Sequence, residues 1–258
     1  MRLSNRGVIF AGILICLSGC AANKEVKKND QSKVFFQLGV SFLKEGDMTR
    51  ALGELLKARE LAPNDPEILN ALGLAYRFKG RPEEAIEAFQ KAIKARPDFS
   101  GAYNNLGVAY LDLGDWDKAI PCFEQALKNL LYETPEWARD NLGWAYFKKK
   151  DYARALEGFK QALVESPRYC QAHNHLGQVY LETGKYEDAA FEFRLAVKYC
   201  QKYPEAFLNL GLAYVKTGKA QEACTNFHHA QQMGGEEGEI SRTANRYLKL
   251  LKCGPGEK

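Results

Sequence analysis

The sequence predicts an all-α solenoid: six repeated helix pairs closed by a final capping helix. Three observations predict it. One set of residues returns in register, with Gly39 and Gly73 34 residues apart and Gly107, Gly143, Gly177 and Gly211 continuing the series. A second glycine follows most of these (Gly46, Gly80, Gly114, Gly184 and Gly218), dividing each repeat into two helix-length stretches. Pro63, Pro97 and Pro167 then close the second stretch of three repeats. The chain has 258 residues and is 46% hydrophobic, enough for a sizeable core and too apolar for a disordered chain.

Written from Ser32, the repeats are 32–65, 66–99, 100–135, 136–169, 170–203 and 204–237, the third carrying two extra residues around Asn129 to Pro135. Position 7 is leucine throughout, from Leu38 to Leu210, and position 8 is glycine. Position 11 is aromatic, from Phe42 to Tyr214, and position 24 is Leu55 or phenylalanine. Positions 20 and 27 are alanine, from Ala51 and Ala58 to Ala223 and Ala230. Small residues let helix axes approach, and the large ones fill the space between them. Position 15 needs a left-handed residue where the first helix stops, so Lys150 stands out among glycines. Beyond the repeats, Ala244, Tyr247, Leu248 and Leu251 make one apolar face of a helix over 240–252, the expected cap.

These letters at this period resemble the tetratricopeptide repeat family. The resemblance implies a right-handed superhelix with a concave groove lined by positions 2, 5, 6, 9, 12 and 13 of each first helix. The partner-binding residues it implies here are Phe78, Leu111, Trp137, Asn141, Trp144, Phe147 and Leu212. Asn70, Asn104, Asn105, Asn174, His175 and Asn209 alternate with them, and such side chains could hydrogen-bond a bound backbone. Trp137 and Trp144 lie seven apart on one helix face, where aromatic anchors carry binding energy. The alternative is that these side chains pack between helices or against the insertion. Arg139 occupies position 4, ordinarily apolar, and puts the register of that helix in question.

The first twenty residues set the expected compartment. Arg2 and Arg6 precede an apolar run over 7–17, about half a bilayer long and suited to a signal peptide. The run ends in Leu17-Ser18-Gly19-Cys20, which resembles the bacterial lipobox; the alternative is an ordinary signal peptide cut nearby. That resemblance implies removal of 1–19 and lipidation of Cys20. Ala21 in place of Asp then implies the outer membrane, with the repeats in the periplasm. Residues 20–31 read as lipidated cysteine and flexible tether, reaching about 18 Å. No other stretch is apolar enough for a polytopic membrane protein. The net charge of +4 falls to 34 basic against 32 acidic residues without the leader, which gives no footprint for nucleic acid.

Five cysteines remain beyond Cys16 and Cys20. Antiparallel helices bring Cys170 and Cys200 to one end of repeat five. Cys224 and Cys253 similarly meet where the cap returns. The expected disulfides are Cys170–Cys200 and Cys224–Cys253, each contributing about 3.6 kcal/mol if unstrained, with Cys122 unpaired. The alternative is five reduced thiols. His173 and His175 point to different helix faces, as do His228 and His229, so no metal site and no cofactor is predicted. No phosphate loop or nucleophile motif occurs, and the expected protein is not an enzyme.

A signal peptide, a lipobox and six repeats together resemble the outer-membrane lipoprotein pilotins of type IV pilus secretins. The resemblance implies an adaptor that holds an apolar segment of a secretin protomer and assists its assembly. The alternative is a lipoprotein scaffold for another envelope complex, in cell-wall synthesis, outer-membrane protein assembly or polysaccharide export.

Overall fold

The computed structural model describes residues 28–235 and 238–254, and among them every regular element is an α-helix. They are α1 (28–45), α2 (Met48–Leu61), α3 (Pro66–Phe78), α4 (Pro82–Ala95), α5 (Ser100–Asp112), α6 (Trp116–Ala126), α7 (Pro135–Lys148), α8 (Tyr152–Glu165), α9 (Cys170–Glu182), α10 (Tyr186–Tyr199), α11 (Pro204–Lys216), α12 (Ala220–Met233) and α13 (Glu239–Leu250). The chain forms two compact units, the first ending at Leu113 with α5 and the second beginning at Gly114. Cys20, the leader and residues 20–27 of the expected tether lie outside the described residues. Residues 28–31 are helical rather than tether. No breaker separates them from α1, and each residue added to an existing helix gains a hydrogen bond. Ser32 then fixes this end of α1 by donating to the Ala58 carbonyl at 3.1 Å.

Within the second, fourth, fifth and sixth helix pairs, the ring at position 24 lies against the glycine at position 8. A Cβ on Gly73 would stand 2.4 Å from the Phe89 ring, and one on Gly177 or Gly211 would meet Phe193 or Phe227 at 2.6 and 2.5 Å. In the first pair Leu55 takes the ring's place over Gly39. Phe89, Phe123, Phe159, Phe193 and Phe227 are fully buried, with the alanines of positions 20 and 27 beside them. Repeat four goes further: a Cβ on Gly158 would stand 2.9 Å from the Gly143 Cα, backbone against backbone.

The turn between paired helices is built alike each time. Gly46, Gly80, Gly114, Gly184 and Gly218 have φ between 70° and 81°, and Lys150 adopts φ 62° in the same place. In the turns at Gly46, Gly80, Lys150, Gly184 and Gly218 the next residue returns its N–H to the carbonyl of the position-11 aromatic, as Asp47 does to Phe42 at 2.9 Å and Lys185 to Tyr180 at 2.8 Å. Positions 16 and 19 always carry opposite charges, in either order: Asp47 with Arg50, Arg81 with Glu84, Asp115 with Lys118, Asp151 with Arg154, Lys185 with Asp188, Lys219 with Glu222. Where Asp comes first it caps the second helix, as Asp47 accepts from the Arg50 N–H at 2.9 Å. Hydrogen bonds from Arg50, Lys118 and Arg154 hold the carboxyls of Asp47, Asp115 and Asp151 below the usual range. In either order a cation comes to rest on the aromatic ring. Arg50 lies 4.5 Å from Phe42, Arg81 5.2 Å from Tyr76, Arg154 4.2 Å from Tyr146, and Lys219 5.7 Å from Tyr214.

In the second unit α13 covers α12. Ala244 and Leu248 are buried with Phe227, and the Tyr247 ring stacks on Phe227 at 5.0 Å. Cys224 and Cys253 are joined there by a disulfide, Cα atoms 5.7 Å apart. Cys170 and Cys200 form a second disulfide, Cα atoms 5.9 Å apart, tying the start of α9 to the end of α10. The two extra residues of repeat three belong to a loop over 127–134, where Leu130 and Leu131 are 96% and 87% exposed. Arg139 does not disturb the register of α7: its guanidinium lies along α8, donating to Gln161 at 2.7 Å and pairing with Glu165 at 3.4 Å.

Two substitutions in repeat four should move stability in opposite directions. Gly158→Ala pushes a methyl into backbone and should cost about 1–3 kcal/mol. Lys150→Gly removes left-handed strain and should gain about 0.5–1 kcal/mol. Urea melts followed by circular dichroism would register the shifted midpoints.

Candidate protein-binding surface

The first helices of the repeats carry the candidate residues, and each unit presents its own set. In the first unit Phe36, Val40 and Leu43 of α1 lean on the cluster around Leu55 and Leu72 and are partly buried. A shallow hollow of about 300 Å³ remains over α1, lined by Phe36, Gln37, Val40, Ser41 and Lys44. Phe78, the last residue of α3, is 58% exposed beneath the Arg77 guanidinium, which also pairs with Asp112. Leu111 on α5 is half-buried.

In the second unit α7 carries Trp137, Asn141, Trp144 and Phe147. Trp137 is 49% exposed, while Asn141, Trp144 and Phe147 are half-buried. The Trp144 ring stacks on Phe147 at 5.1 Å and on His175 at 4.4 Å, with the Lys148 ammonium 4.4 Å from its centroid. His175 is held from behind: its Nδ1 donates to the fully buried Asp140 carboxylate, 2.9 Å from one oxygen and 3.1 Å from the other. Leu212 on α11 is half-buried and turned partly onto the Phe227 cluster.

The polar residues of the inner helices are largely committed to one another, which corrects the expectation that they await a bound backbone. Asn105 donates to Asn70 at 3.0 Å, and Asn209 to Asn174 at 3.0 Å. Asn174 in turn donates to the Tyr203 hydroxyl at 3.0 Å, and burial raises the pKa of that phenol. Each pair, with Asp140–His175, joins position 5 of one repeat to position 6 of the next, 35 residues apart. A buried amide without a partner costs about 1–3 kcal/mol, so pairing is the favourable state. The signal lay in the sequence. Polar position 5 (Asn70, Asn104, Asp140, Asn174) is followed by polar position 6 (Asn105, Asn141, His175, Asn209), and apolar Phe36 by Ala71.

The other histidines are also taken up by packing. His173 contacts Glu192 at 2.7 Å and the Pro167 carbonyl at 3.2 Å, and His228 donates to the Gly254 carbonyl at 2.9 Å. Among the described residues no three His, Cys, Asp or Glu side chains are grouped to hold a metal. No described helix is long and apolar enough to cross a membrane. Cys122 on α6 is a free thiol, half-buried, its Sγ 3.2 Å from the Lys118 carbonyl; burial pushes its pKa up to about 11.

A family model for the tetratricopeptide repeat matches residues 36–99, 70–136 and 104–169, and a second TPR repeat model matches 178–218. No curated protein matches the chain. Among solved structures it is similar to PilW, described as a widely conserved type IV pilus biogenesis factor. The TM-score is 0.74 at 21% identity, over 83% of this chain and 98% of that one. It is similar also to PilF of Pseudomonas aeruginosa, with a TM-score of 0.73 at 18% identity over 85% and 99%. MamA of Desulfovibrio magneticus RS-1 gives 0.56 at 25% identity over 66% and 95%. With PilW and PilF, at these identities, the likeness is one of fold.

Two measurements test this surface. Asp140→Ala strands the His175 N–H and should cost about 1–3 kcal/mol, with a shifted Trp144 emission in the folded protein. At pH 8 a thiol of pKa 11 holds about a hundredth of the thiolate of an ordinary one at 9, so native Cys122 should react with iodoacetamide about a hundredfold more slowly than after unfolding.

Proposed function

Because the chain belongs to the tetratricopeptide repeat family, whose repeats generally mediate contacts between proteins, we propose that it is a non-catalytic, lipid-anchored adaptor for type IV pilus biogenesis. In this reading Cys20 carries the lipid and the outer membrane holds the protein, with the repeats in the periplasm. The partner is a secretin protomer, whose apolar segment the inner helices hold until it assembles. The observation that carries the reading is the aromatic group on α7, where Trp144 and Phe147 stack and Trp137, seven residues before Trp144, is half exposed. Large rings held in place by neighbours lose little freedom on binding and dominate interface energies. Likeness of fold to PilW and PilF, over nearly the whole of each, supports the pilus assignment.

The apolar and paired-polar inner faces favour an apolar segment over a charged one. Phe78 and Leu111 in the first unit, and Asn141 and Leu212 in the second, extend the proposed contact. Nothing in this role requires acid–base groups or a cofactor.

Deleting the gene and probing outer-membrane fractions for heat- and detergent-resistant secretin multimers tests the role. The multimers should disappear, and return with wild type but not with Cys20→Ser. Their persistence would move the assignment to a scaffold of another envelope complex. Trp144→Ala combined with Phe147→Ala should weaken binding of the purified partner by at least about thirtyfold, or about 2 kcal/mol. Unchanged affinity would remove α7 from the interface.

A further inference from the structure

Positions 3 and 7 of the first helix face the preceding helix pair, and their burial follows from having one. At position 3, Ile68, Ala102, Ala138, Ala172 and Ala206 are 0–2% exposed. At position 7, Leu72, Leu106, Leu176 and Leu210 are 1–6% exposed, and Leu142 is half-buried. In repeat two the cover is α2, whose Leu55 and Ala58 pack with Ile68 and Leu72. The same two positions of α1 are Val34 and Leu38, 54% and 43% exposed. The far end of the chain solves the equivalent problem with α13. At the near end, α1 shows an apolar stripe that no described residue covers.

The chain before α1 says what can reach that stripe. Only seven residues, 21–27, separate Cys20 from Lys28, spanning at most about 25 Å even when fully extended. Lys24, Lys27, Lys28 and Lys33 there outnumber Glu25 and Asp30. We propose that the Val34–Leu38 stripe of α1 rests on the lipid surface that holds the anchor; this depends on the reading of Cys20 as lipidated. Apolar side chains then settle at the headgroup boundary while lysines, Lys33 foremost, reach anionic phosphates. Two side chains are too little to bind a membrane alone. A short tether makes the encounter intramolecular, at millimolar effective concentration, so a weak face is enough to set orientation. The first unit then lies with α1 along the bilayer and Phe78 in water, open to a partner.

Hydroxyl-radical footprinting of the mature lipidated protein, in vesicles of phosphatidylethanolamine with a minority of phosphatidylglycerol, tests this. The reference is the chain from residue 20 with Cys20→Ser, free in buffer. Oxidation of Val34 and Leu38 should fall at least about threefold on vesicles, while Phe78 keeps its solution reactivity. Unchanged Val34 and Leu38 on a protein of lipidated mass would overturn this proposal alone. Equal protection of Phe78 would also overturn it, since the contact would not be specific to α1. Protection in the unlipidated chain that grows with its concentration would assign the stripe to a second copy instead. An intact mass without acyl chains on Cys20 would overturn the proposal together with the anchor.

Discussion

The contact on which the fold depends is the ring of position 24 against the bare backbone of position 8. A phenylalanine fully buried there contributes about 2–3 kcal/mol, and it can lie there because the glycine opposite has no side chain. Phe89 over Gly73, Phe193 over Gly177 and Phe227 over Gly211 repeat one geometry. The alanines at 20 and 27 follow from it, since helices brought this close leave no room for a larger residue beside the ring. The glycine turn follows as well: the pair can close at that spacing only if the chain reverses within a few residues, which the left-handed residue and its return hydrogen bond accomplish. Even the charge pair at 16 and 19 serves the turn, capping the second helix or laying a cation on the ring of position 11.

Between one repeat and the next, the inner helices are joined by polar pairs as well as apolar packing. A hydrogen-bonded amide pair adds little net stability but tolerates little misalignment, because a shifted helix leaves partly or fully buried groups unpaired. Asn70–Asn105, Asp140–His175 and Asn174–Asn209 therefore act on register. They also stiffen the inner faces before any partner arrives, which lowers the ordering cost of binding.

What recurs with the period was legible from the letters, because an environment met six times constrains the same residue six times. The helices and the glycine turns are of this kind, whereas the capping face of α13, which occurs once, was legible from its own i, i+3, i+4, i+7 apolar spacing. The antiparallel topology likewise brought Cys170 to Cys200 and Cys224 to Cys253. Pairings between repeats were harder to read. The link from Asn174 to Asn209 spans 35 residues rather than 34, so writing the repeats in register sets the partners in adjacent columns. Single amides then look available when they are not. The start of α1 was misjudged for another reason: composition distinguishes polar from apolar, and polar residues such as Lys28 and Gln31 serve a helix as readily as a tether.

The departures from the repeat gather in one place. Repeat four has Lys150 where the others have glycine, Gly158 where others have larger residues, and Arg139 at a position that is aromatic or leucine in four of the repeats and His173 in the fifth. It has a buried carboxylate, Asp140, where the neighbouring repeats have asparagine, and Trp144 where valine, leucine or glutamine stand elsewhere. The insertion with its two exposed leucines directly precedes it. A left-handed lysine and a buried acid each lower stability, and the fold requires neither, since the sibling repeats do without them. These costs are local, unshared by the sibling repeats, and lie beside the aromatic group of α7 that is proposed to meet the partner. Asp140 shows the connection directly. It orients His175, and His175 supports Trp144 from beneath, so the buried charge sets the angle of the ring that faces solvent.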